Sequence, residues 1–234
     1  MTRLFATTRC DMQLQLRNGF YYATTFIVIV WAMLFMQVSL SNLGWLLPVL
    51  ILGNLLINTF YFIGGLVLLE KGEGTLSAQI VTPLRTEEYL SAKIISLTFL
   101  ALLENVIIAS LFYGLAYQFL PLILGIILAS IIYILAGFII VVGYNAINEY
   151  LLPSVLYTSI LAAPLLTYIV QWEHWLMYLH PLQGPLVLMQ AAIQPIILWQ
   201  WLYGISYSVC WIILLYSLSQ HAFRRFVIMA EGAN

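Results

Sequence analysis

One stretch of this 234-residue chain, from Glu70 to Lys93, holds most of the groups that could engage a partner in water. Seven of the seventeen Asp, Glu, Lys and Arg side chains lie there. Long apolar runs flank the stretch on both sides, so it is the only sizeable polar surface that the chain can offer outside a membrane. We therefore expect the function to depend on it.

A second candidate group, Glu104, lies inside an apolar run. It follows Lys93 by eleven residues, so a helix rising about 1.5 Å per residue would place it roughly 16 Å deep. An acid at that depth costs roughly 2.5 to 3.5 kcal/mol to insert and needs a partner or water. Asn58 precedes Glu70 by twelve residues, which gives nearly the same depth on the neighbouring span, and Asn54 shares its helical face. We predict that Glu104 and Asn58 contact each other.

Two interpretations of this polar pair remain open. It could be a contact that holds two helices together, worth about 0.6 to 2 kcal/mol. It could instead bind substrate or a proton along a transport pathway.

The composition identifies the class of protein. Hydrophobic residues make up 63% of the chain, charged residues 7%, and the mean hydropathy is +1.00, whereas soluble domains carry about 25% charged residues. The apolar runs are continuous rather than alternating, which favours membrane-spanning helices over a barrel. A net charge of −1 with scattered basic residues gives no indication of nucleic-acid binding. Cys10 and Cys210 lie in an N-terminal arm and a late apolar run, so we expect no disulfide.

The runs predict an all-α integral membrane protein, a single transmembrane domain over residues 1–234 with six transmembrane helices. The predicted spans are residues 20–40, 45–69, 94–119, 121–145, 151–170 and 196–220. Residues 3–18 place Leu4, Thr8, Met12 and Leu16 at four-residue spacing, with Asp11 and Gln13 elsewhere. This pattern predicts a helix lying in the membrane interface. A cleaved signal peptide is the alternative, but the following run is too long for one.

The basic residues predict the orientation. All eight Lys and Arg fall on one side of a six-span arrangement: Arg3, Arg9, Arg17, Lys71, Arg85, Lys93, Arg224 and Arg225. Since cytoplasmic loops carry the excess of basic residues, both termini and the stretch from Glu70 to Lys93 are expected in the cytoplasm. The expected location is the cell (inner) membrane.

The segment from Gln171 to Pro195 is too apolar for an external loop, and its prolines divide it into pieces too short to span. We expect a re-entrant or interfacial pair of short helices with Trp and Tyr rings at the headgroup level. An aromatic belt that anchors the last two spans and a segment that closes an exit path are both open readings.

The centre of the charged stretch predicts a short amphipathic helix. Thr75 can cap it, Leu76 and Ile80 share its apolar face, and it must stop before Pro83. Gly74, together with Gly72, permits a tight reversal out of the second span.

The amino-acid sequence of this stretch resembles the cytoplasmic coupling segment of the type-2 ATP-binding-cassette (ABC) permease family. The resemblance rests on Glu70-Lys71-Gly72-Glu73-Gly74-Thr75-Leu76, on Thr82-Pro83-Leu84, and on Tyr89 and Lys93. The six-span topology extends it over nearly the whole chain. Two departures are Gln79, where family members often carry an acid, and His180-Pro181, where they often have Asn-Pro.

The resemblance implies a transport subunit whose coupling segment, residues 70–93, docks on a separate ATPase. The residues implied in coupling are Glu70, Glu73, Gly74, Thr75, Leu76, Ile80, Thr82 and Pro83. It also implies two copies of the ATPase and a second permease subunit, identical or related. ATP and Mg²⁺ would bind to the ATPase, since this chain has no Gly-x-x-x-x-Gly-Lys-Ser/Thr phosphate-binding loop. We expect no cofactor or metal on the chain itself.

The leading hypothesis is therefore an ATP-driven exporter of a drug-like or amphipathic small molecule, with lipid, glycan or heme-related export as the alternative. An ion-coupled carrier would need ion-binding groups in broken helices, and an intramembrane enzyme would need a catalytic dyad that the chain lacks. Asn145, Asn148 and Glu149 fit a solvated turn better than a second ATPase contact. His174 and His180 lack the further ligands of a metal site.

Overall fold

The structure, a computed structural model, describes residues 2–35, 44–76, 85–114, 116–172 and 174–225. Every regular element in these ranges is a helix, and no strand occurs among them. The continuous apolar runs predicted helices rather than a barrel, and that part of the fold prediction is confirmed.

The α-helices, numbered in chain order, are α1 Thr2–Arg17, α2 Phe20–Phe35, α3 Leu47–Leu55, α4 Phe62–Gly72, α5 Thr86–Tyr113, α6 Phe119–Val141, α7 Ile147–Leu161, α8 Ala163–Val170, α9 Gln183–Gln190 and α10 Leu198–Phe223. A π-helical segment, Leu56–Tyr61, joins α3 to α4, and two short 3₁₀ helices occupy Gly44–Leu46 and Trp175–Leu179.

Among the described residues, four helical segments are long and apolar enough to cross a membrane. They are Gly44–Gly72, Thr86–Tyr113, Phe119–Val141 and Leu198–Phe223. The pair α7 and α8 would be a fifth, bent by 43°, because Pro164 near the start of α8 cannot continue the preceding hydrogen-bond ladder. The predicted first span, residues 20–40, is represented by the 16 residues of α2, and residues 36–40 lie outside the described part. The structure thus shows four or five membrane-length helices where six were predicted.

The helix that contains the third predicted span begins before the predicted start of that span. We placed its start at residue 94, whereas α5 begins at Thr86. The reason is local, because the Glu88 carboxylate accepts a hydrogen bond of 3.0 Å from the backbone N–H of Arg85 and so caps a new helix start. Residues 86–93, assigned to the coupling segment, are therefore the first two turns of the same helix that contains the third apolar run.

Helix α6 lies at the centre of the bundle. It packs against α3, the π-helical segment, α4, α5, α9 and α10, and its Leu122, Ile126, Tyr133 and Leu135 have no exposed surface. The continuous apolar sequence of this helix reflects burial over much of its surface in addition to contact with lipid.

The N-terminal helix differs from the prediction in the face that it buries. We placed Asp11 on a polar, water-facing side, but Asp11 and Gln15 are buried against α5, whereas Phe5 and Leu16 are exposed. The polar face turns inward because it finds hydrogen-bond partners on α5, which are described below.

The segment before the last span contains two short helices, as predicted. The 3₁₀ helix Trp175–Leu179 is exposed at its aromatic residues, whereas α9 is buried at Leu186, Leu188 and Met189. Gly184 of α9 and Gly204 of α10 allow the two backbones to approach closely: a Cβ on Gly184 would lie 3.0 Å from the carbonyl oxygen of Gly204. Helix α9 is therefore an inner element of the bundle and not a surface loop.

Candidate functional site

The charged stretch begins with a sharp turn at Gly74. Its φ of +69° lies in the left-handed region, which glycine adopts without the steric cost of a Cβ. The backbone N–H of Gly74 donates to the carbonyl of Lys71 at 3.1 Å and closes the turn. Gly72, in contrast, is the last residue of α4 and has a helical backbone.

The predicted coupling helix is described only at its beginning. Thr75 and Leu76 are helical, and Leu76 is buried with 3% of its surface exposed. The hydroxyl of Thr75 donates to the carbonyl of Glu70 at 3.1 Å, so it serves the end of the preceding helix. Ile80, Thr82 and Pro83 lie outside the described residues, and their predicted role in coupling stays a prediction.

Four buried residues form an ion cluster at the base of this stretch: Asp11, Glu70, Tyr89 and Lys93. The Nζ atom of Lys93 donates to Oδ1 of Asp11 at 2.5 Å and to Oε1 of Glu70. The hydroxyl of Tyr89 donates to the other Glu70 oxygen at 2.7 Å. At most 3% of the surface of any member is exposed. Three helices, α1, α4 and α5, therefore meet at one ammonium group.

The charges of the ion cluster do not balance, because two carboxylates share one ammonium. Burial raises the pKa of Asp11 from 3.8 to about 6, an effect that the nearby Lys93 opposes and does not cancel. The Oδ2 atom of Asp11 has no hydrogen-bond partner among the described residues. Such a buried cluster stabilises the native packing only while every member is present, since removal of one partner leaves an uncompensated charge.

Two further contacts join α1 to the same region. The Gln15 side-chain amide donates to the hydroxyl of Ser96 at 2.9 Å. At the exposed end of α1, Arg17 forms an ion pair of 3.2 Å with Glu73. The N-terminal helix thus contacts both acids of the predicted coupling set. Arg17 pairs with Glu73 directly, and Asp11 is linked to Glu70 through the Lys93 that both carboxylates bind.

Glu70 was predicted to take part in coupling to an ATPase, and its burial determines which groups it can contact. With none of its surface exposed, Glu70 is bound by Lys93 and Tyr89 of its own chain. Asp11 was not predicted as a member of the site. The available signal was its position four residues before Gln15, which places both polar groups on one face of a helix.

Lys71 makes a separate contact on the same side of the bundle. Its Nζ donates to the carbonyls of Val142 and Tyr144 at 2.6 and 2.7 Å, which lie just beyond the C-terminus of α6. A lysine is well suited there because the last carbonyls of a helix lack intrahelical partners. Asn145 lies in the turn that follows, whereas Asn148 and Glu149, predicted to lie in that turn, belong to the first turn of α7. All three side chains are exposed.

A second group, the polar cluster, lies within the spans and consists of Asn54, Asn58, Glu104 and Asn105. The Asn58 amide donates to Oε2 of Glu104 at 2.5 Å, and the Asn54 amide donates to Oε1 at 3.2 Å. The predicted contact between Glu104 and Asn58 is confirmed. All four side chains are buried, so the carboxylate is held by amide donors in place of water.

Asn105 was not foreseen as a member of the polar cluster. Its Oδ1 accepts a hydrogen bond of 3.1 Å from Asn54, which shares its amide between Asn105 and Glu104. Asn58 belongs to the π-helical segment, and such single-turn irregularities within α-helices are frequent at functional sites. Asn54 of α3 and Asn58 of the π-helical segment, four residues apart, both donate to the same carboxylate.

Comparison with known proteins identifies the family. The profile of the fluoroquinolones export permease protein family matches residues 2–231. Two proteins named as fluoroquinolones export permease proteins, from Mycobacterium tuberculosis strains CDC 1551 / Oshkosh and ATCC 25618 / H37Rv, are each 34% identical to this chain over 235 residues, which cover 99% of both sequences. With its apolar, membrane-length helices and a profile match over nearly its whole length, the chain belongs to the fluoroquinolones export permease family of membrane transport proteins.

Proposed function

We propose that this chain is the membrane-spanning subunit of an ATP-driven exporter that moves a drug-like or amphipathic small molecule out of the cell. The energy comes from a separate ABC ATPase, two copies of which serve a pair of identical or related permease subunits. The chain lies in the inner membrane with both termini and the coupling segment in the cytoplasm.

The observation that carries this proposal is the attachment of the coupling segment to the spans. The segment leaves the membrane at Glu70 and returns at Lys93, and these two residues form an ion pair within the ion cluster. A partner that displaces the intervening residues therefore acts on the ends of two long helices, Gly44–Gly72 and α5, at one point. Because the ion cluster is buried and closely packed, a displacement of the segment moves both helices, whereas a flexible loop would not pass the displacement on.

The substrate class is supported by the relatives, whose names state that they export fluoroquinolones. A fluoroquinolone is a planar aromatic drug with a ketone and a carboxylate, so it is amphipathic. We propose a substrate of this general kind for the present chain. Lipid, glycan or heme-related export is not favoured by any observation on the described residues.

The first test is affinity purification of the tagged chain in mild detergent, followed by identification of co-purifying proteins and an assay of ATP hydrolysis. We expect a nucleotide-binding subunit to be recovered. Reconstituted with that subunit, Gly74→Val should uncouple ATP hydrolysis from transport, because valine cannot adopt a φ of +69° without strain. Gly72→Val is the matched control: both glycines have open space around the Cβ position, but Gly72 has no positive φ.

Two outcomes would contradict the proposal. A clean preparation without ATPase in several detergents would favour an ion-coupled carrier, for which the buried Glu104 is the candidate ion-binding group. Normal coupling in Gly74→Val would show that the turn does not position a docking segment.

A further inference from the structure

A cavity of about 490 Å³ lies at the end of the bundle opposite the ion cluster. Trp45 lines it, 25 residues before Glu70 in the same helical segment, which is roughly 37 Å at about 1.5 Å per residue. The other walls come from α8, the 3₁₀ helix Trp175–Leu179, α9 and the start of α10. Its volume falls within the range of about 300 to 1,000 Å³ that is typical of small-molecule sites.

The lining combines aromatic rings with neutral amides. The rings include Trp45, Tyr168 and Trp172, and the amides include Gln183, Gln190 and Gln194. Asp, Glu, Lys and Arg are absent from the described lining residues. Flat aromatic faces favour stacking with a planar ring system, and amide N–H groups donate to carbonyl or carboxylate oxygens.

One wall of the cavity is held rigid. The hydroxyl of Tyr168 donates to the backbone carbonyl of Trp45 at 2.9 Å, and the centroids of the two rings are 6.2 Å apart. This contact joins the beginning of the second span to the bent fifth span. A pre-organised aromatic wall binds with a smaller loss of conformational entropy than a mobile one.

A second wall of the cavity carries a polar atom that lacks a hydrogen-bond partner among the described residues. The Oε1 atom of Gln183, at the start of α9, is buried and has no hydrogen-bond partner among the described residues. Buried polar atoms in native proteins are nearly all paired, so an exception calls for an explanation. A bound molecule that donates an N–H or O–H to this oxygen would provide one.

We infer that this cavity binds the exported molecule at the outer end of the pathway, and that it selects planar aromatic compounds bearing carbonyl or carboxylate oxygens. The inference rests on the proposed export function and adds to it a site and a basis for selectivity. Stacking on Trp172 supplies the preference for flat rings, and the N–H groups of the lining amides supply the preference for oxygen acceptors. The Gln183 Oε1 atom accepts from a donor group on the same molecule.

Direct binding of norfloxacin, a fluoroquinolone that is itself fluorescent, tests the inference. The purified chain in lipid nanodiscs, without ATPase or ATP, is dialysed to equilibrium against the drug. We expect saturable binding that Trp172→Ala weakens about tenfold and Gln183→Leu about fivefold, from the loss of one stacking face and one hydrogen bond.

Trp175→Ala is the matched control. Trp175 lies three residues from Trp172, is 68% exposed against 59%, and does not line the cavity. We expect its affinity to stay within about twofold of the wild type, as for a substitution outside the site. Because Trp172 is largely exposed, its removal opens no buried void, and this variant carries the test even if Gln183→Leu fails to fold.

Equal affinity in all four proteins, or no saturable binding by folded wild-type protein, would overturn the inference. Norfloxacin export into inside-out vesicles containing the ATPase tests the proposed function separately. Binding that depends on Trp172 without ATP-dependent export would contradict the proposed function and leave the cavity assigned. ATP-dependent export together with binding that neither Trp172→Ala nor Gln183→Leu weakens would support the proposed function and contradict the assignment of the cavity.

Discussion

The ammonium of Lys93 lies 2.5 Å from a carboxylate oxygen of Asp11, although the two residues are 82 positions apart in the sequence. Both are buried, and Glu70 binds the same ammonium. Because the pair joins the N-terminal helix to the start of the third span, the N-terminal helix is part of the proposed coupling apparatus.

Lys93→Met should be strongly destabilising. It leaves two buried carboxylates without their counter-charge, and breaking a buried pair in this way costs about 3 to 5 kcal/mol. Thermal denaturation in detergent, followed by size-exclusion chromatography, measures the loss. Arg17→Met is the control, since it removes the exposed ion pair with Glu73 and such pairs are worth about 0 to 1 kcal/mol. Similar melting temperatures for the two variants would contradict the importance of the ion cluster.

Stability should depend on pH through Asp11. Its folded-state pKa of about 6 exceeds the ordinary value of 3.8, so the folded protein holds the proton more tightly than the unfolded chain. The resulting stabilisation is complete below about pH 4 and is lost as the pH rises through 6. Between pH 5 and pH 7 the loss is about 1 kcal/mol.

The measurement for this pH effect is the difference between the wild type and Asp11→Asn. The variant keeps the shape of the side chain and cannot titrate, while Glu70 and Lys93 remain to titrate in both proteins. We expect the wild type to lose stability relative to Asp11→Asn from pH 5 to pH 7. Parallel pH profiles would show that Asp11 does not titrate in this range.

Substitutions of Glu104 separate the two roles open to the polar cluster. Glu104→Leu leaves the Asn58 amide without its acceptor, at about 1 to 3 kcal/mol, whereas Asn54 keeps Asn105 as an acceptor. This variant should lower the protein level. Glu104→Gln retains an acceptor oxygen and should fold at a near-normal level. Drug export by folded Glu104→Gln then decides the matter: retained export supports a structural contact, and lost export supports a transport role.

Gly184→Ala should destabilise the contact between α9 and α10. The added Cβ would lie 2.6 Å from Oγ of Ser208 and 3.0 Å from the carbonyl oxygen of Gly204, and overpacking of this kind costs about 1 to 3 kcal/mol.

The matched control for this packing contact is Gly53→Ala. Gly53 is also helical and has no heavy atom within 4 Å of its Cβ position, so alanine there should stabilise by about 0.5 to 1 kcal/mol. Melting temperatures that shift in the same direction for both variants would contradict the close approach of α9 and α10.

Several features could be predicted from the sequence because they depend on local composition or on distance along one helix. The helical membrane class followed from continuous apolar runs. The contact between Glu104 and Asn58 followed from equal depth on two neighbouring helices and from the cost of burying an acid alone. The turn at Gly74 followed from the conformational freedom of glycine.

The predicted helix boundaries were less accurate where tertiary contacts or local capping override the hydrophobic pattern of the sequence. From the sequence, residues 86–93 were assigned to the polar coupling segment before the third span. In the structure Tyr89 and Lys93 are buried within a helix, because Glu70 and Asp11 provide partners. The number of spans also depends on more than hydropathy, since the bend between α7 and α8 divides one apolar run.

The sequence by itself determined that the chain is a helical membrane protein with one polar stretch and an acid, Glu104, inside an apolar run. Only the tertiary structure decided that Asp11 closes the ion cluster, that α9 packs inside the bundle, and that Trp45, Tyr168 and Gln183 line one cavity. Each of these relationships joins residues from different helices. The rotation of each helix and the packing of its neighbours determine such contacts, and neither quantity can be read from spacing along a single helix.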